Sequence, residues 1–412
     1  MNSSIRHIRI ACYALIAKDS GSIASANYLI IKDLLNNGYE IDFYALKGFQ
    51  NVDDFLSYQN FHYIPISLKA IQSVWDNLEK LPKNGGILYT LWSKISTAIY
   101  FNLLKKIAQE NHNGNPYDMV LVLGLPNFFE LNGVHKISWL QGTLDTEIAI
   151  IDKLKDQIIS LSGLTEYIKL KLFYMLRSFT YTKVANSSDL FIGGSQWTKV
   201  SLELSGLKNV HALPYPIDIE LFKPQELMPK RTDDQIRFLW LGRIVPRKRL
   251  DLLLDAIALL ISENQNVHLT IIGSFAYANG YSQLLDRFKY PERITYSPGI
   301  NRLDVPNLMS SIDVLVQTSE AEDFGSSVAE ALCCGVPVIV GTTNGTKDYI
   351  GSSSWVFAEY TVQSLKKTME VAIESIKTHK EEISRNCRLV AEQEFSTHKV
   401  ISKFEELYRQ NL

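Results

Sequence analysis

The segment EAEDFGSSVAEALCCGVPVIVG, residues 320–341, sets two glutamates, Glu322 and Glu330, with seven residues between them, where a loop turns into a helix. The preceding DVLVQTS reads as a strand, SVAEALCC as the helix with Ser326 or Ser327 as its N-cap, and Gly335 as its stop before the strand VPVIV. Glu322 then lies in the loop beyond the carboxyl end of a strand, the edge of an open α/β sheet at which ligands bind, and Glu330 about one turn into the helix. Backbone N–H groups around Gly325 to Ser327 point out of a helix N-terminus, a seat for phosphate or sugar oxygens, and Gly325 lets the backbone come close. Carboxylates repel phosphate, so the two glutamates suit hydroxyls such as those of sugar rings, while the amides between them take an anion. Cations for that anion stand in LWLGRIVPRKRLDLLLDAI, where Arg243 directly follows a strand and Lys248 precedes the next helix, both on the same sheet edge as Glu322.

The elements that must position these residues alternate along the chain. HIRIACYAL reads as a strand, SANYLIIKDLLNNG as a helix closed by Gly38 and YEIDFYAL as the next strand, a βαβ unit. Further strands fall at FHYIPIS, YDMVLVLG, KISWLQG, SDLFIGGS and NVHALPYP, with helical segments near 87–110 and 151–184. The proline-bearing stretch 213–235 breaks the alternation and marks a domain junction. Beyond it RFLWLG, VHLTIIG, RITY, DVLVQTS, VPVIV and SWVF are strand candidates, separated by helices at LDLLLDAIALLIS, SQLLDRFK, VPNLMSS and after Phe324. Two doubly wound parallel α/β domains result, followed by a helical tail from about 362 whose Val400, Ile401, Phe404, Leu407 and Tyr408 have amphipathic spacing.

Composition bounds the function classes. The 412 residues exceed the usual size of one core and favour two domains. With 46% apolar and 21% charged residues, the chain is that of a soluble globular protein, not a disordered one. A net charge of −2 supplies no global field for nucleic acid or anionic lipid, so an anionic ligand must be met by local cations. The start MNSSIRHIRIACYAL is too short and too basic in its apolar run to read as a signal peptide or spanning helix. Four cysteines without metal or C-x-x-C spacing suit a reducing cytoplasm, and no histidine pair has metal-site spacing.

Taken together, GRIVPRKRLDLLLDAI, LTIIG, SSIDVLVQTSEAEDFGSSVAEALCCGVPVIVG and PYPIDIELFKP resemble the retaining glycosyltransferases of the GT-B fold. That large, family 4-like group includes sucrose synthases, glycogen synthases and bacterial glycan enzymes. The resemblance is specific over about 210–350 and lies more in pattern than in identity over the first half. It implies two Rossmann-like domains facing across a cleft: residues 1–215 on the acceptor side, 216–395 for a nucleotide-sugar donor, and a helix over 396–412 that crosses back onto the first domain.

The resemblance also implies roles. Arg243 and Lys248 hold the donor diphosphate and stabilise charge on the departing nucleotide without a metal or other cofactor, consistent with the absence of an Asp-x-Asp triplet. Glu330 binds the ribose, Glu322 the donor sugar, and Phe324, Gly325 and Ser326 offer backbone N–H groups. Gly21 matches the glycine-rich loop beside the donor. Two positions depart from the family pattern: Gln141 or a neighbour stands where many relatives carry a histidine that reaches the donor sugar, and Arg249 where glycine is usual. On the acceptor side, WLQGTLDTE offers Asp145 and Glu147, or a solvated loop. The stretch YIKLKLFYMLRSFTYTK within 165–183 reads as a helix packed on the first sheet or as an interfacial helix meeting a lipid-linked acceptor. The partners implied are a UDP- or GDP-sugar, a saccharide or lipid-linked acceptor and no nucleic acid, in the cytoplasm or at the inner face of its membrane. Two rival functions share the architecture: a nucleotide-sugar epimerase and a silent donor-binding partner subunit.

Overall fold

The computed structural model describes residues 8–19, 23–46, 52–66, 87–141, 144–184, 188–225, 233–276 and 279–412. The first half runs β1 (Arg9–Ala14), α1 (Ile23–Asn36), β2 (Glu40–Leu46), β3 (Phe61–Ile66), α2 (Ile87–Gly114), β4 (Met119–Leu123) and β5 (His135–Leu140). It continues through α3 (Leu144–Lys153), α4 (Lys155–Ser162), α5 (Leu164–Val184), β6 (Leu190–Gly193), α6 (Gln196–Leu204) and β7 (Val210–Ala212). The second half runs β8 (Ile236–Leu241), α7 (Leu250–Ser262), β9 (Val267–Ile272), α8 (Gln283–Asp286), β10 (Ile294–Ser297), α9 (Val305–Ser310) and β11 (Val314–Gln317). It closes with α10 (Ser326–Cys333), β12 (Val338–Gly341), β13 (Trp355–Phe357), α11 (Val362–Glu394) and α12 (Thr397–Gln410).

These strands form two sheets, ordered β3-β2-β1-β4-β5-β6-β7 and β10-β9-β8-β11-β12-β13. The named pairs are parallel, with β1 flanked by β2 and β4, and β8 by β9 and β11. Central strands such as MVLVL and VLVQ are buried at every position, because helices cover both faces; that is why they read as unbroken apolar runs. Both sheets reverse winding at the same place, between β1 and β4 and between β8 and β11. The crevice outside the carboxyl ends at such a switch point is where ligands bind.

Two expectations about helices need correction. The helical segment read over 151–184 starts earlier, at Leu144, and divides into three helices: the chain leaves helical geometry at Leu154, and at Gly163 it turns with φ at 88°. SQLLDRFK forms only the single turn Gln283–Asp286.

The halves are stitched at the crossing chain. Ile217 donates its N–H to Phe395 O at 2.9 Å. Arg388 Nη1 donates to the carbonyls of Ile219, Phe222 and Cys333 at 3.1, 2.8 and 2.9 Å. The last helix, α12, returns to the first half: Phe404 stacks on Trp139 with ring centroids 5.9 Å apart, and Glu405 accepts from Tyr39 Oη at 3.1 Å.

Candidate active site

The second sheet assembles its charged residues at the switch point. Arg243 follows β8, Lys248 closes the 3-10 turn Pro246–Lys248, and Glu322 lies in the loop after β11. Lys248 Nζ and Arg247 Nη1 both meet Glu322 Oε2, the latter at 3.2 Å. All three side chains are largely buried. Burial alone would raise the Glu322 carboxyl, but the Lys248 ammonium and the Arg247 guanidinium outweigh it and hold its pKa down at about 2. Burial lowers Lys248, opposed by the Glu322 carboxylate. Arg243 is exposed, forms no ion pair among the described residues, and lies close enough to Lys248 to act on its charge.

Backbone geometry explains the loop. The N-cap of α10 is Gly325, not Ser326 or Ser327: the chain passes through the left-handed region there, with φ at 78°. A Cβ at Gly325 would stand 3.2 Å from Asn344 Oδ1 and 3.3 Å from Thr346 Oγ1, a tight fit, and the left-handed backbone is what calls for glycine. Ser326 is the first residue of the helix, whose first N–H groups have no intrahelical acceptor. The Phe324 side chain is buried between Tyr215 and Phe395, at centroid distances of 5.5 and 5.7 Å, so only its backbone is available to a ligand.

Glu330 does not meet Glu322. Its Oε1 accepts from Arg302 Nη1 at 2.8 Å, a residue that no sequence motif marked. Burial raises the Glu330 carboxyl and Arg302 opposes the rise. Other partners also come from afar. Arg247 Nε pairs with Glu147 Oε1 of α3 at 3.2 Å, so Glu147 belongs to a helix and to this network and not to an open acceptor loop. Glu320, nearly fully buried, is met by Lys153 of α3 and by Arg249 Nη1 at 3.1 Å. Arg249 occupies the left-handed region with φ at 49°, which accounts for the usual glycine; its pairs with Asp251 and Glu320 offset the strain. Asp323 O accepts from Ser195 Oγ at 2.7 Å and Thr198 Oγ1 at 2.9 Å, joining the first turn of α6 to the site loop.

The facing edge of the first sheet is different. Gln141 follows β5, and its Nε2 would be 2.8 Å from a Cβ at Gly124, the glycine that follows β4 with φ at 86°. Asn27 of α1 is fully buried and donates to Leu15 O at 2.9 Å, while its Oδ1 has no partner among the described residues. Gly21 and the side chain of Asp145 lie outside the described residues; the Asp145 backbone is in the first turn of α3. Among the described residues, Glu40, Asp42 and His62 are close enough together to hold a metal, but at the amino edge of the sheet, where Arg9 Nη2 already pairs with Asp42 at 2.6 Å.

Residues 225–389 match the family model of glycosyl transferases group 1. The chain is 27% identical to the uncharacterized glycosyltransferase YqgM of Bacillus subtilis over 187 residues, 45% of this chain and 51% of that protein. It is 22% identical to the GDP-mannose-dependent alpha-(1-6)-phosphatidylinositol dimannoside mannosyltransferase of Mycobacterium tuberculosis, over 50% of this chain and 55% of that protein. The match thus spans about half the length of these curated relatives. Among solved structures, HepE of Anabaena in complex with UDP and glucose superposes with a TM-score of 0.61 at 16% identity, covering 98% of this chain and all of that one. Sucrose-phosphate synthase of Thermosynechococcus elongatus gives 0.65 at 15% identity, with 98% of each chain covered. By fold the chain is similar to these glycosyltransferase structures along nearly its whole length, and its residues 225–389 match the glycosyl transferases of group 1.

Proposed function

We propose that the protein is a retaining glycosyltransferase that moves a sugar from a nucleotide diphosphate-sugar to a hydroxyl acceptor in glycan or glycolipid synthesis. The observation that supports this most is the convergence of Arg243, Lys248 and Glu322 beside the first turn of α10, at the switch point of the second sheet. In this reading Arg243, which forms no ion pair among the described residues, receives the diphosphate. Lys248 has three N–H donors, of which Glu322 uses one, so the ammonium serves carboxylate and phosphate together. Phe324, Gly325 and Ser326 offer N–H groups to the donor, and Glu330 takes the ribose. Gln141 and Asp145 line the acceptor side, and Gly21 borders the donor.

Double displacement requires a carboxylate placed as nucleophile under the anomeric carbon. The Glu322 charge is committed to Lys248 and Arg247, which favours a positioning role: it accepts a hydroxyl of the donor sugar. The acceptor oxygen then bonds to the anomeric carbon on the face from which the nucleotide departs. The bond from that carbon to the phosphate oxygen breaks, and the freed phosphate oxygen takes the acceptor proton. Arg243 and Lys248 balance the growing phosphate charge, so no metal is required and EDTA should leave the rate unchanged. The reaction is tested by NMR of the product formed from UDP-glucose or GDP-mannose with hydroxyl acceptors. An α-linked product supports retention and a β-linked one overturns it. An altered donor formed without acceptor would instead identify an epimerase, and binding without turnover a silent partner subunit.

A second observation bears on the acceptor. No helix among the described residues is long and apolar enough to cross a membrane. However, Leu164, Ile168, Leu172 and Met175 of α5 are 56%, 53%, 38% and 50% exposed, an apolar stripe on one face. We read this stripe as a peripheral contact with the membrane that carries a lipid-linked acceptor, at its inner face. Flotation with liposomes tests it: the protein should rise with them, and Leu172→Asp should not. Absence of the wild type from the floating fraction would contradict the contact.

A further inference from the structure

We infer that Arg302 is a positioning residue for recognition of the nucleotide ribose: it holds Glu330 by one carboxylate oxygen and presents the other to the ribose hydroxyls. The inference rests on the reading of the second half as the donor side. It is carried by how completely the guanidinium is fixed. Arg302 lies in the 3-10 turn Arg302–Asp304, between β10 and α9. Its Nη1 donates to Glu330 Oε1 at 2.8 Å, and its Nη2 reaches the first half, donating to Ser25 Oγ of α1 at 3.2 Å. Its plane lies over the Phe222 ring, 4.9 Å from the centroid, on the chain that crosses between the halves. Three separate parts of the molecule therefore set one side chain.

The pair is buried, with the two side chains 9% and 6% exposed. Stability alone is a poor reason for such a pair, because apolar residues of similar volume usually serve as well. The fit is also incomplete as a structural bridge: Arg302 Nε is buried without a partner among the described residues, and the hydrogen bond and ion pair that hold Glu330 there both use Oε1, leaving Oε2 to a ligand. An ionised carboxylate with one oxygen held and the other unpartnered is a strong acceptor for a hydroxyl. Without Arg302, burial would favour the neutral carboxyl and weaken that acceptor.

The test compares UDP, GDP and ADP with their 2′,3′-dideoxy counterparts, by calorimetric titration into the full chain. The wild type should bind the ribose form of its nucleotide about tenfold or more tighter than the dideoxy form, the range of a hydrogen bond to a charged group. In Arg302→Ala this discrimination should shrink to about twofold or less, with dideoxy affinity unchanged and Arg302→Lys intermediate. Circular dichroism checks folding; should the alanine variant unfold, Arg302→Lys carries the test, because it keeps the charge and loses the fork that spans Glu330 and Ser25. Folded variants that discriminate as the wild type does would overturn the role of Arg302 and leave the donor reading standing. A wild type that binds no nucleotide, or binds both forms equally, would overturn the ribose role of Glu330 and this inference with it.

Discussion

The two sheet edges that face each other share a topology and differ in chemistry. Both reverse winding at equivalent places. The second concentrates Arg243, Arg247, Lys248, Glu320 and Glu322 around one switch point. At the ends of β4 and β5 the first presents Gln141 and, beside them, Asn27: neutral amides. Charge collects where a diphosphate would have to be met. Among the described residues, neutral donors and acceptors stand at the ends of β4 and β5, where the proposed function needs only to meet hydroxyls. The fold supplies two similar crevices, and on the proposed function the side chains at strand ends decide which one would take an anion. The first half is not a bystander, since Glu147 and Lys153 of α3 pair with Arg247 and Glu320 across the cleft.

Removing the central carboxylate breaks the comparison most severely. In Glu322→Gln turnover should fall by about a hundredfold or more while nucleotide affinity stays close to wild type, since the proposed function has the group act on the donor sugar. Steady-state kinetics with parallel nucleotide titration checks this, and an unchanged kcat would remove Glu322 from the site. Next in size, Gly325→Ala forces a side chain into a left-handed position beside Asn344 and Thr346 and should cost about 1–2 kcal/mol of stability. Calorimetric unfolding reads that loss, whereas the same change at Gly299, where a Cβ would meet nothing, should be close to silent.

The pH dependence sharpens the comparison further. The Glu322 pKa is lowered from 4.5 to about 2 by its cations, so the stabilisation it contributes is present above about pH 4.5 and is lost as pH falls through about 2. The difference in unfolding midpoint between wild type and Glu322→Gln should therefore shrink over that window, and a constant difference would contradict the pairing. The smallest effect is expected at Lys153, 60% exposed and one of two partners of Glu320. Lys153→Ala should cost at most about 1 kcal/mol and raise the donor KM a few-fold, with the change fading at high salt.

The same contrast explains what could be read in advance. Buried parallel strands are apolar runs, so MVLVL, VHLTII and VLVQ declared themselves, as did the glycines that stop α1 and α10. Arg243, Lys248, Glu322 and Glu330 were legible because each stands beside its own strand end or helix start. Arg302 and Lys153 were not, and Glu147 was read as an acceptor-side residue and not as a partner of Arg247: each reaches its partner only through the tertiary fold, between segments with no common motif. The Gly325 cap was hidden for a local reason. Serine is the commoner N-cap, and only the close approach of Asn344 and Thr346 shows that the chain reverses one residue earlier. The breaks at Leu154 and Gly163 were masked by helix-compatible residues on either side.

The central claim is that the second half holds a nucleotide diphosphate through Arg243. Thermal unfolding of the wild type and Arg243→Ala with UDP, GDP, ADP and their sugars tests it most directly, because a ligand that binds only the folded state raises the midpoint by mass action. Arg243 is exposed and forms no ion pair among the described residues, so its loss should leave the unliganded midpoint unchanged. The account predicts that one nucleotide stabilises the wild type and fails to stabilise the variant. Equal stabilisation of both proteins, or of neither, would contradict it.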